Sequence, residues 1–195
     1  MLRASLFFVA LLLGLQPASP ARAQMNLDEL VNRRGVYLHP QTLEAYTGEV
    51  VARWDASSVR VRGTLRNGRW NGVRESFYQD GQLETRESYR DGVPHGPFES
   101  YFRTGRPSDR GTYENGLLEG AYEAFWSRAQ GDIHSAHAAG HGEAGHDMDA
   151  GDLMERGTWT EGTPCGEWYR FLPRNTQGLR TGETVSYAAC PSGND

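Results

Sequence analysis

Asn67 to Tyr78 reads NGRWNGVRESFY, Asp91 to Phe102 reads DGVPHGPFESYF, and Asn115 to Trp126 reads NGLLEGAYEAFW. The three stretches begin 24 residues apart, and Glu161 to Leu172, EGTPCGEWYRFL, continues them after a gap of 46. Each copy carries one glycine at its head (Gly68, Gly92, Gly116, Gly162) and a second four residues on (Gly72, Gly96, Gly120, Gly166). Gly48, in TGEVVARW, opens a degenerate first copy. Self-similarity at this period marks a stacked array, in which each unit buries its apolar face only against its neighbours.

Inside each copy the periodicity is two, as a β-strand requires. Arg74, Phe98, Tyr122 and Trp168 share a strand face with Ser76, Ser100 and Ala124, and with Tyr78, Phe102, Trp126 and Leu172. Glu75, Glu99, Glu123 and Tyr169 point to the opposite face with Phe77, Tyr101, Phe125 and Phe171. Alternation separates the two sets and leaves open which of them is the core. A preceding strand carries Leu65, Tyr89, Tyr113 and Trp159. Asn67-Gly68, Asp91-Gly92 and Asn115-Gly116 are hairpin signals, since these turns need positive φ, and Asp80-Gly81 and Thr104-Gly105 close the return hairpins. The expected fold is all-β: an elongated antiparallel meander of about five two-stranded repeats, a single-layer twisted sheet with terminal caps. One short helix is expected at Asp28 to Val31, after Asn26, with Glu29 placed for a capping box.

All 20 basic residues are arginine, so every mechanism built on a lysine base, nucleophile or phosphate ligand is excluded. Hydrophobic residues make up 37%, which permits a modest core and excludes a polytopic membrane protein. Arg3, the apolar run Ser5 to Leu15 and Ala21-Arg22-Ala23 form a secretory signal, read as residues 1–23 and cut after Ala23. The run is too short to cross a bilayer as an anchor. The expected location is therefore periplasmic or secreted, and not transmembrane after cleavage. The mature chain would hold 18 arginines against 25 acids, a poor match to nucleic acid. Arginines concentrate between residues 53 and 110, where 11 stand against 8 acids, an arrangement that cross-strand pairing with Glu accounts for.

The repeat as a whole, Gly111 to Trp126 and Gly157 to Leu172 above all, resembles the MORN-repeat variant. With its opening Leu30 to Tyr37 leading into Tyr46 to Val50, the chain is similar to the bacterial YwqK-like group, over residues 27 to 172. That resemblance implies the MORN-like meander, and it brings an antitoxin or immunity-type label that the secretion signal does not fit. The organisation it implies is an N-terminal cap at 24–46, MORN-like repeats at 47–128, an insertion at 129–155, a last repeat at 156–172 and a capping strand and tail at 173–195.

Two cysteines in a secreted chain predict one disulfide. If a tail strand from Glu183 to Ala189 pairs antiparallel with the last repeat strand, the register that faces Gly166 with Ala189 also faces Cys165 with Cys190. The insertion holds His134, His137, His141 and His146 among Asp132, Glu143, Asp147, Asp149 and Asp152, a set whose imidazoles suit Zn or Cu. It lacks the spacing of H-E-x-x-H and of an EF-hand, and a solvated loop tip without any cofactor is the competing reading.

No catalytic constellation is present: the sequence contains no G-x-S-x-G and no glycine-rich loop between strand and helix. The expectation is a non-enzymatic binding or scaffold module whose partner is another protein or a cell-envelope component. The candidate surface is Phe77, Tyr101 and Phe125 with Glu75, Glu99 and Glu123. A metal-handling protein acting through the histidine loop is the alternative.

Overall fold

In the computed structural model, residues 24–126, 152–171 and 181–191 are described. The expected signal at 1–23 and the four insertion histidines His134, His137, His141 and His146 lie outside them. The chain begins with β1 (Met25–Asn26), a 3-10 turn (Leu27–Glu29), β2 (Val31–Arg33), β3 (Val36–Leu38) and β4 (Gly48–Arg53). The first three repeats give β5 (Val59–Arg66), β6 (Arg69–Trp70), β7 (Gly72–Phe77), β8 (Leu83–Arg90), β9 (Val93–Tyr101), β10 (Pro107–Glu114), β11 (Leu117–Leu118) and β12 (Gly120–Phe125). After the insertion come β13 (Leu153–Thr160), β14 (Thr163–Phe171) and β15 (Gly182–Ser186). From β4 onward every neighbouring pair is antiparallel and follows chain order, so the expected meander forms one open sheet of thirteen strands; β2 and β3 make a separate hairpin.

Each hairpin tip needs two consecutive residues with positive φ, which only a small set of residues adopts at low cost. Asn67, Asp91, Asn115 and Glu161 take φ near 50°, each followed by a glycine at 73° to 88°. The tips then lock onto one another. Gly92 N–H donates to the Trp70 carbonyl at 2.8 Å, Gly116 N–H to that of Pro94 at 2.8 Å, and Gly162 N–H to that of Leu118 at 3.0 Å. The second glycine of each copy absorbs a register change. Tyr89 faces Pro94 whereas Glu87 faces Phe98, so the ascending strand gains two residues across Gly96, which sits at φ 108°. Tyr113 facing Leu118 and Arg110 facing Glu123 show the same two-residue step at Gly120.

The structure settles which face is the core. Phe98, Tyr122 and Trp168 are buried with Ala124, Tyr113, Leu118 and Met154, and Trp126, Trp159 and Val185 pack against them. A second cluster, Leu30, Val50 and Leu65 with Met25, Leu27, Tyr37, Tyr46 and Trp70, seats the N-terminal segment on the first tip. Glycines on the facing strands make room for the rings: a Cβ at Gly157 would lie 2.1 Å from the Trp168 indole, and one at Gly111 2.9 Å from Phe98. Between the two clusters the pattern changes, and Arg74 and Glu87 stand where other repeats place an aromatic and a glycine; they form a 2.9 Å ion pair.

The expected helix at Asp28 to Val31 does not form. Leu27–Glu29 makes a single 3-10 turn, capped by the Asn26 side chain accepting from Asp28 N–H, while Glu29 bonds the Asn26 amide rather than its backbone. Val31 is drawn instead into the hairpin with Leu38, a strand position that suits a β-branched residue.

The disulfide joins Cys165 and Cys190, closing a separation of 25 residues. The tail strand is shorter than expected and runs two residues out of the predicted register: Glu167 faces Ser186, and Gly166 exchanges backbone hydrogen bonds with both Tyr187 and Ala188. Gly166, at φ 66°, repeats the step that each repeat makes at its second glycine, and beyond that step Cys165 meets Cys190. On the insertion side, the β12–β13 ladder continues to Trp126 N–H donating to the Asp152 carbonyl at 2.8 Å. Among the described residues no helix is long and apolar enough to cross a membrane.

Two substitutions separate steric from conformational demand. Gly157→Ala should lose about 2–3 kcal/mol, because its Cβ meets an indole in a packed core, and Gly120→Ala about 1–2 kcal/mol, because its φ of 77° disfavours a side chain although nothing lies within 4 Å. Denaturant melts in a Trp168→Leu background check the assignment: the first loss shrinks in the double variant, and the second adds independently. Reduction of the disulfide should speed hydrogen exchange in β15 while β8 to β10 keep their protection, since loop closure of this length is worth roughly 3 kcal/mol and contacts in such arrays are local.

Candidate functional site

The face opposite the core carries a row of charge that runs across the strands. Arg62 on β5 pairs with Glu75 on β7, Glu75 with Arg86 on β8, and Arg86 with Glu99 on β9. The row goes on through Arg110 on β10, Glu123 on β12 and Arg156 on β13 to Tyr169 on β14. Descending strands supply the arginines and ascending strands the glutamates, so opposite charges face each other at every step from Arg62 to Arg156, and the row ends on Tyr169. Directly opposed side chains in a sheet come close enough to interact, and unlike charges stabilise the pairing.

Contacts along the row are close. Arg62 Nε donates to Glu75 Oε2 at 2.5 Å, and Arg86 Nη2 to Glu75 Oε1 at 2.8 Å. Arg110 Nε donates to Glu123 Oε2 at 2.6 Å, and Glu99 Oε2 accepts from the Tyr101 hydroxyl at 2.7 Å. One step further along the same face lie the aromatic rings. The Arg62 guanidinium stands 5.0 Å from the centre of the Phe77 ring and that of Arg110 5.5 Å from Phe125, while Arg156 lies 5.3 Å from Tyr169. Each of these guanidiniums is held over a ring, and Arg62 and Arg110 are also held by a carboxylate, so little freedom remains to lose on binding.

Depth divides the two signs. The Glu75 side chain is 11% exposed and that of Glu123 28%, whereas Arg62, Arg86 and Arg110 are 54%, 51% and 54% exposed. The Glu75 and Glu123 carboxylates lie lower than the guanidiniums beside them, so the outermost charges at those positions are positive. Burial pushes the Glu75 carboxyl upward, but the hydrogen bonds and charges of Arg62 and Arg86 outweigh it and hold the group below its ordinary value of 4.5. The same bond raises Arg86. Burial, then the Glu99 carboxylate, push the Tyr101 hydroxyl up.

The predicted residues Glu75, Glu99 and Glu123 thus fall on one row, with Phe77, Tyr101 and Phe125 beside it. The sequence reading expected the arginines of this region to pair with Glu across the sheet, as they do, but did not name the four that alternate with these glutamates. Their signal was present, since Arg62, Arg86, Arg110 and Arg156 repeat at the same spacings of 24, 24 and 46 as the glycines. At the first end of the row, Glu49, Arg62, Thr64, Val73, Glu75 and Arg86 line a shallow groove, with Val73 exposed in it. Among the described residues no group of three or more His, Cys, Asp and Glu converges as metal ligands do. Neither a scan against protein-family models nor a search of curated proteins finds a match to this chain.

Glu75 tests the row. Its folded pKa lies below the unfolded value, so its contribution is fully present above pH 4.5 and is lost as the pH falls through the folded pKa. Glu75→Gln should therefore cost about 1–2 kcal/mol near neutral pH and remove part of the acid limb below pH 4.5. Urea melts of both proteins between neutral and strongly acidic pH check this, the two curves converging at the acid end.

Proposed function

We propose that this chain is a non-enzymatic binding or scaffold protein of the secreted or periplasmic space, which engages a protein or a cell-envelope component through the face opposite its core. The observation that carries the reading is the row of exposed, pre-held arginines flanked by Phe77, Tyr101 and Phe125. A repeat-built face with aromatic and arginine side chains braced from below has the composition that recognition surfaces favour. The disulfide between Cys165 and Cys190 fits an oxidising compartment, and so does the A-x-A signal in the sequence. The resemblance to MORN-repeat variant proteins supports a structural rather than catalytic role.

A photo-crosslinking amino acid at Tyr101 or Phe125, in protein exported from its native host, should give a discrete adduct that Arg110→Glu abolishes. The same probe at Ser57, exposed in the turn between β4 and β5, should give none. Equal labelling from the turn, or no adduct from either face position, would overturn the reading.

A further inference from the structure

The binding reading leaves the class of partner open, and the geometry of the row narrows it. Arg62, Arg86, Arg110 and Arg156 stand on β5, β8, β10 and β13, every second strand along the path. Neighbouring strands lie about 4.8 Å apart, so the guanidiniums repeat at roughly 9.6 Å over a run of about 29 Å. Phe77, Tyr101 and Phe125 occupy the three strands between them, offset by one step along the strand, and Phe171 lies on β14 just beyond Arg156. The surface is therefore a ruler of alternating cation and ring with a fixed repeat, running across the strands.

A ligand that uses every mark needs one anionic group per repeat, an apolar face between the anions and a stiff, extended shape. A linear polysaccharide with one carboxylate in each disaccharide has all three: its repeat is close to the spacing of the arginines, and its pyranose rings present C–H faces to aromatic side chains. An extended acidic peptide is out of step, because its same-side carboxylates recur at about 6.8 Å. Nucleic acid places its phosphates more closely still, at about 3.4 Å of rise per strand. The chain as a whole carries a formal charge of -5, so attraction for a polyanion has to be local to this row rather than general.

We infer that the arginine row is a receptor for a linear acidic polysaccharide laid across the strands, its carboxylates on Arg62, Arg86, Arg110 and Arg156 and its sugar rings against Phe77, Tyr101 and Phe125. Arginine suits a carboxylate as a bidentate donor; Glu75 and Glu123 brace Arg62, Arg86 and Arg110 before the ligand arrives, and the Tyr169 ring holds Arg156. The groove at the Arg62 end, lined by Val73 and Thr64 with Glu49 at its side, seats the terminal sugar. This inference rests on the proposal that the face is the binding surface, and its test is separable from that proposal.

Calorimetric titration of the disulfide-intact chain with a hyaluronan octasaccharide, whose carboxylates recur once per disaccharide, should show saturable binding that weakens between low salt and about 0.3 M. Dextran oligosaccharides should not bind, and poly-glutamate and a single-stranded oligonucleotide should bind at least about tenfold more weakly. Arg86→Gln and Arg156→Gln, the second of which leaves the Glu75 brace untouched, should each lower octasaccharide affinity several-fold, while Arg103→Gln, at a return hairpin, should not. Equal affinity for all three polyanions, insensitivity to both row variants, or no octasaccharide binding would overturn the inference. If no octasaccharide binds while the Tyr101 crosslink still forms, the interaction face stands and its partner is not a uronate polymer.

Discussion

The two-residue register step at the second glycine of each repeat is the constraint on which both faces depend. Side chains alternate along a strand, so a step of one residue would carry Phe98 to solvent and Glu99 into the core. A step of two leaves the alternation intact and lets the strand bulge at Gly96, Gly120 and Gly166. The bulge takes up the distance between the tip, which is tied to the neighbouring tip through Gly92, Gly116 and Gly162, and the stem, which is tied by the Arg–Glu row. Tip and stem hydrogen bonds would otherwise demand different strand lengths. Because every repeat makes the same step, the faces of successive hairpins align and one continuous row becomes attainable.

The core face departs from its own pattern once. In the second, third and last repeats an aromatic ring packs over a glycine on a neighbouring strand, as Phe98 and Tyr122 do over Gly111 and Trp168 over Gly157. In the first, Arg74 and Glu87 occupy these two positions together, with the Tyr89 hydroxyl donating to Glu87 at 3.0 Å and the Trp70 ring 5.3 Å beneath the guanidinium. The two replacements belong to one event, since a half-buried arginine without its carboxylate, or the reverse, would leave a charge poorly compensated. The pair falls where one hydrophobic cluster ends and the other begins. A polar joint of this kind joins two apolar blocks without merging them.

Much of this was legible in the sequence, and the parts that were not have physical reasons. Asn-Gly and Asp-Gly pairs specify their turns locally, so the meander could be read from the chain alone. The choice of core face could not, because Phe98 with Phe102 and Phe77 with Tyr101 offer aromatic sets of similar size, and burial depends on what the whole sheet packs against. The helix expected after Asn26 failed for the same reason: pairing of Val31 with Leu38 outweighed a local cap. Pairing of Cys165 with Cys190 was read correctly, though the register of the strand leading to it was not, since an offset at Gly166 is invisible without its partner strand. Pairing of arginine with Glu across the sheet was expected, but its alignment into one continuous row was not, because the register that aligns successive pairs is fixed only once the strands meet.

A repeat array also has to avoid pairing strands of like direction, since near-identical repeats offer near-identical edges. The charge row discriminates here. Ascending strands carry glutamate at the paired position and descending strands arginine, so bringing two ascending strands together would set Glu75 against Glu99, or Glu99 against Glu123, with no cation between them. The same side chains can meet this need and still face a partner because their depths differ. Glu75 and Glu123 sit low, where carboxylates are shielded and serve the pairing; Arg62, Arg86 and Arg110 reach past them with half of each side chain in solvent. An interaction that fixes strand order from below therefore leaves its cations held in place above, and the cost of ordering them is met in folding rather than in binding.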